Sequence, residues 1–212
     1  TVSNKHNQCY YDILKEFEQF NNWDGVVTTY GAQSKKFCYS PDKLPKKIFK
    51  FLNYLNDKNF ISIIENITGE KNLIPDNELK GAGMAQIGKG GFLKMHADFT
   101  WHSELKLYRK INLLIYLNKN WDEKWGGDLQ LASKIDDKLS IEKKIYPHFN
   151  TTVIFTTNDN SFHGHPNPLN CPKNVYRNSI STYYYVKEKP TGILTEKRTA
   201  TDYRKLSGKK IV

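Results

Sequence analysis

Apolar side chains recur at three- and four-residue steps through the first third of the chain. Tyr10, Ile13, Leu14, Phe17 and Phe20 form one such stripe, and Leu44, Ile48, Phe51, Leu52 and Leu55 form another around Pro45. That spacing puts the apolar residues on one face of a helix, and proline is tolerated in a first helical turn. A third short helix is predicted over 60–67, ending near Gly69, with a loop over 72–80. From Gly81 the pattern changes to short β-prone runs. Strands are predicted over 84–87, 92–98, 110–117, 128–131, 150–156 and 178–186, with the Gly88–Gly91 cluster and Gly126-Gly127 as turn signals. Lys110–Leu117 is mostly apolar and reads as a buried central strand. Helices followed by many short strands predict a mainly β fold with N-terminal helices, a jelly roll.

Neither an internal repeat nor a linker divides the 212 residues, a length that suits one domain. The expected layout is helical support over about 1–70, a jelly-roll core over about 81–186 and a basic tail over 187–212. Aromatics at 13% argue against disorder. No apolar run approaches the roughly 20 residues of a membrane helix, and no basic-then-apolar leader is read. Cys9, Cys38 and Cys171 contain no CxxC pair and are expected as buried thiols in a reducing, cytoplasmic setting. The net charge of +10 invites a nucleic-acid reading. Half of that excess, however, falls on residues 187–212, expected as a solvated extension. The aromatics sit in core-like runs rather than between basic residues, which argues against a nucleic-acid partner.

Candidate chemistry gathers in the β-rich part. His96-Ala97-Asp98 places an imidazole and a carboxylate two residues apart, hence on one face of a strand. His163-Gly164 offers a further ligand far downstream. Two histidines and one carboxylate with open positions form the facial triad of non-haem Fe(II) oxygenases. Arg177 follows, with Ser179 on the same face, a guanidinium and a hydroxyl suited to a carboxylate such as the far end of 2-oxoglutarate. Weaker candidates for substrate contact are Trp101, His102 and Arg109, with Asn112 beside the last. His6 and His148 read as surface residues.

These segments resemble the 2-oxoglutarate/Fe(II)-dependent dioxygenases of the prolyl-4-hydroxylase-like branch. GGFLKMHADF (90–99), INLLIYLNKNW (111–121), GGDLQL (126–131), FHGHPNPLNCP (162–172) and RNSISTYYY (177–185) carry the likeness, and together they look like a bacterial subgroup of that branch. The resemblance implies a double-stranded β-helix, cupin-like, with Fe(II) held by His96, Asp98 and His163 at one mouth. It implies 2-oxoglutarate anchored by Arg177 and Ser179, O2 as oxidant and ascorbate as support. No catalytic residue beyond the iron ligands is implied. His163 and His165 are read as alternating faces, so that one of them joins the site; His163 is preferred because the glycine after it fits the family pattern. Leu93 and Arg177 stand where many prolyl hydroxylases carry Tyr and Lys. The implied activity is hydroxylation of an unactivated C–H with decarboxylation of 2-oxoglutarate to succinate. The target is a prolyl or other peptidyl residue, or alternatively a small metabolite such as a free amino acid or sugar-linked compound. A silent jelly-roll binding module is the remaining alternative.

Overall fold

The computed structural model describes residues 4–29, 33–38, 40–193, 197–207 and 209, with the side chains of 4–10, 27–29 and 33–36 left out. The expectations for His6 and Cys9 therefore lie outside the described side chains. The chain opens with α1 (Asn4–Gln19), β1 (Gly25–Thr29), β2 (Gln33–Cys38), α2 (Lys46–Leu55) and α3 (Lys58–Thr68). It continues through β3 (Ile74–Pro75), β4 (Gly83–Ile87), β5 (Leu93–Ala97), β6 (Trp101–His102) and β7 (Leu107–Tyr116). After a short 3-10 turn come β8 (Leu129–Ile135), β9 (Lys138–Ile145), β10 (Thr152–Thr156), β11 (Ser161–His165), β12 (Arg177–Val186) and β13 (Asp202–Tyr203).

The helices are where the apolar stripes predict them, and each boundary has a cause. Pro45 precedes α2, and the first-turn amides of Lys47 and Ile48 donate to the Glu16 carboxylate on α1. That carboxylate satisfies donors a helix start would otherwise leave open. Asp57 caps α3 by accepting from the Asn59 amide, and Gly69 ends it in the left-handed conformation. Ile13, Phe17, Ile48, Leu52, Leu55 and Ile64 bury their stripes against Met84, Ile111, Leu113, Ile115, Ile180 and Tyr184 of the sheet.

The strands form one curled sheet in the order β10-β7-β12-β4-β2-β5-β11-β8-β9, every strand pairing antiparallel. β2 links two halves, β10-β7-β12-β4 and β5-β11-β8-β9. The halves fold over each other, so that Tyr116 and Val153 of one pack with Leu129 of the other. This is a jelly roll buttressed on one outer face by helices. Alternation sorts its residues: Ile111, Leu113 and Ile115 face the helices, while Asn112, Leu114 and Tyr116 face the interior.

Three parts differ from the sequence reading. The supposedly helical first third contains the β1–β2 hairpin, whose β2 pairs with both β4 and β5. β9 returns along β8 through a two-residue turn, Asp136-Asp137, with both residues at positive φ, the backbone a tight hairpin requires. The basic tail is also not a solvated extension. Asp202 and Tyr203 pair with Ala97 and His96 as β13, completing the edge of β5. The free backbone groups of that edge give the tail its partners.

Candidate active site

Two neighbouring strands deliver the candidate ligands. His96 and Asp98 leave β5 on its inner face, and His163 stands opposite His96 in the β5–β11 register. The ligand atoms of His96, Asp98 and His163 lie within 4.8 Å of one another, and all three residues are buried. His96 Nε2 is 3.6 Å from Asp98 Oδ1, and His163 Nε2 is 3.4 Å from Oδ2. His96 Nδ1 lies 2.8 Å from the Lys94 carbonyl oxygen. A carbonyl only accepts, so Nδ1 carries the proton and Nε2 presents its lone pair, as a metal ligand must.

Asp98 is held by a buried network. Arg109 Nη2 and Asn112 Nδ2 donate to Asp98 Oδ2 at 2.9 and 2.8 Å, while Arg109 Nε donates to Asn112 Oδ1 at 2.8 Å. Burial pushes the Asp98 carboxyl up; Arg109, His163 and His96 outweigh it and hold the group well below the usual carboxylate range. It is therefore ionised and ready for a cation. A bulge puts Arg109 there. The register between β12 and β7 shifts between Tyr184 and Tyr185, which pair with Ile111 and Arg109. The extra residue turns Arg109 onto the same face as Asn112, between the rings of Tyr183 (3.3 Å to centroid) and Phe99 (4.7 Å).

The same cavity, about 210 Å³, reaches Arg177 and Ser179 on β12. Arg177 Nε donates to the Gly127 carbonyl at 2.8 Å and Nη2 to the Tyr116 hydroxyl at 3.0 Å. It is 4% exposed and has no carboxylate partner among the described residues. A buried cation without its anion is costly, and the cavity beside it is where an anion fits. Gly127 makes this possible: its φ is +77°, and a Cβ there would stand 3.2 Å from Arg177 Cδ.

The other sequence candidates separate. Arg109 lines the cavity, but its guanidinium is committed to Asp98 and Asn112. His102 is fully buried away from the cavity, accepting from the Leu105 amide and packing on Tyr185. Trp101 also lies off the cavity, against Tyr108 and Lys197. His165 lines the cavity beside His163. The alternation expected for those two is corrected here: residues two apart share a face of a strand. Cys38 and Cys171 are free and buried, and His148 is half exposed beside Glu123. Sequence reasoning missed Tyr116, the Gly127 carbonyl, and Thr201 and Tyr203, which line the cavity from the tail. The Tyr203 ring packs tilted against the His96 ring, with centroids 5.3 Å apart. Period two from Leu114 would have flagged Tyr116; nothing in the local sequence marks the tail residues.

Residues 82–185, from the edge of β4 through β12, match the family model of the 2OG-Fe(II) oxygenase superfamily. The chain belongs to that superfamily. This superfamily member is accordingly a 2-oxoglutarate-dependent dioxygenase, and the family implies Fe(II), 2-oxoglutarate and O2. No curated protein matches it by sequence. Among solved structures it is similar to a Trichoplax adhaerens prolyl hydroxylase in complex with a hypoxia inducible factor peptide fragment. That match has TM-score 0.58 and 17% identity, covering 87% of this chain and 80% of that one. A Pseudomonas putida prolyl-4-hydroxylase matches with TM-score 0.58 and 14% identity, over 84% and 87% of the two chains. HygX from Streptomyces hygroscopicus, with nickel, 2-oxoglutarate and hygromycin B bound, matches with TM-score 0.53 and 12% identity, over 93% and 89%. At these identities the likeness is one of fold. No described helix is long and apolar enough to cross a membrane.

Proposed function

We propose that this dioxygenase hydroxylates an unactivated C–H bond, with His96, Asp98 and His163 holding Fe(II) and Arg177 anchoring 2-oxoglutarate. The observation that carries this reading is the buried, anion-less Arg177 in the same cavity as two imidazoles and an ionised carboxylate. The donor set suits Fe(II): three ligands on one side leave the other positions open. The bound metal supplies O2 activation coupled to decarboxylation of 2-oxoglutarate to succinate. The protein's own work is orientation. Arg109 and Asn112 fix the Asp98 carboxylate, and the Lys94 carbonyl fixes the His96 ring. The Tyr116 hydroxyl accepts from Arg177, leaving its proton to donate to the carboxylate of 2-oxoglutarate that Arg177 anchors, with Ser179 beside it. Ascorbate is expected to sustain turnover by keeping the iron reduced.

For the substrate, the C-terminal strand favours the small-metabolite reading over a peptidyl one. β13 occupies the edge of β5, so a peptide has no free strand edge to pair with there. Thr201 and Tyr203 line the cavity, whose volume of about 210 Å³ suits a compact molecule.

The test is succinate formation with Fe(II), 2-oxoglutarate and ascorbate, with and without candidate metabolites. Arg177→Ala is expected to raise the 2-oxoglutarate concentration needed for half-maximal rate at least tenfold, with metal affinity nearly unchanged. An unaltered co-substrate dependence removes Arg177 from its role.

A further inference from the structure

The returning tail does more than wall the cavity. Its contacts bracket the two candidate ligands at the end of β5, His96 within the strand and Asp98 just after it. Before His96, the Arg204 amide donates to the Met95 carbonyl at 2.8 Å. After Asp98, Arg198 bonds the chain with both its backbone and its side chain. The Arg198 carbonyl accepts from the amides of Thr100 and Trp101 at 2.8 and 3.1 Å. Its Nη2 donates to the Asp98 carbonyl at 2.8 Å, and the same group is 3.5 Å from Asp159 Oδ1. The side chain is 17% exposed.

The location gives these bonds their meaning. β5 ends at Ala97, and the next strand begins at Trp101. Asp98 thus sits just past the ladder, where no sheet partner fixes its backbone. Its carbonyl and the Thr100 amide lie in buried surroundings that need internal partners. Arg198 provides both. It is distinct from Arg109, which grips the carboxylate itself.

We propose that Arg198 is a positioning residue for the metal site, fixing the backbone at Asp98 so that its carboxylate stays aimed between His96 and His163. The inference rests on reading His96, Asp98 and His163 as the metal ligands. Removing Arg198 leaves the ligand set and the Arg109 contact in place. It frees the direction in which Asp98 projects, so metal geometry and affinity suffer ahead of the fold.

The experiment uses the full chain with nickel(II) and cobalt(II) as probes. Nickel affinity is measured by calorimetry, ligand geometry by the visible spectrum of the cobalt-loaded protein, and folding by circular dichroism. The variants are Arg198→Ala, the milder Arg198→Lys, which keeps charge and stem, the exposed control Lys205→Ala, and His96→Ala. Arg198→Ala is expected to weaken nickel binding about tenfold and change the cobalt spectrum. Arg198→Lys is expected to weaken it severalfold, and Lys205→Ala to match the unaltered protein. Unaltered nickel affinity and cobalt spectrum in either folded Arg198 variant overturn the proposal, even with lowered thermal stability. Nickel binding that survives His96→Ala instead overturns the metal-site reading beneath it.

Discussion

Three buried charges in this chain are treated differently, and the differences carry function. Asp98 is matched by Arg109, whereas Arg177 is left without an anion beside the cavity. Asp76 is the third. It accepts from the amides of Leu79 and Glu78, and the Tyr185 hydroxyl donates to it at 3.4 Å. Burial nonetheless pushes its carboxyl up to about 6, against the lowering effect of those amides and Arg109. The folded state therefore binds the Asp76 proton more tightly than the unfolded chain does. Its contribution to stability is present at acid pH and is lost as pH rises from the ordinary carboxylate value through about 6. Asp76→Asn keeps the shape and the acceptor but cannot ionise. It is expected to unfold at a higher temperature than the unaltered protein at pH 7, by up to about 3 kcal/mol of stability, with the gap closing near pH 4. Thermal melts at the two pH values check this, and a gap that is the same at both removes Asp76 as its source.

At the scale of elements, period two and its interruptions build the site. Arg177, Ser179, Ser181 and Tyr183 line the cavity from alternate positions of β12. Of these, the Arg177/Ser179 face was legible in the sequence, as were the His96/Asp98 pair, its partner His163 and the helices with their apolar stripes. Bulges were not legible, because they depend on the partner strand. The register shift in β7 alone brings Arg109 onto the face of Asn112, and an extra residue in β5 pairs His96 with His163 but Leu93 with His165. Gly164 lies between these two pairs. A Cβ there would stand 2.7 Å from the Leu93 carbonyl oxygen and 2.8 Å from that of Lys94, the group that orients His96. Both neighbours are backbone and cannot rotate away. Gly164→Ala is expected to force β11 from β5 and weaken nickel binding at least tenfold by calorimetry. Unaltered affinity contradicts this reading of the close approach.

At the scale of the whole molecule, the sequence points to a helix-backed jelly roll, and the main surprise is how its ends are used. The β1–β2 hairpin and β13 both join the site-bearing sheet, although neither has the long apolar run that marks β7 or β12. Short edge strands are stabilised by partners distant in sequence, so local patterning barely registers them. The same return changes the meaning of the basic tail. Arg198 pairs with Asp159 and Arg204 with Asp202, so part of its charge is spent inside the structure. The fold is shared by proteins solved with a peptide and with hygromycin B, so the fold by itself does not select the substrate. In the proposed function, His96, Asp98 and His163 hold one Fe(II) to which 2-oxoglutarate is delivered by Arg177. An anaerobic titration tests it most directly, following the visible absorption band that an Fe(II)–2-oxoacid complex produces. One equivalent of Fe(II) with 2-oxoglutarate is expected to give the band in the unaltered protein and none in Asp98→Ala. No band in the unaltered protein, or an undiminished band in Asp98→Ala, contradicts the claim.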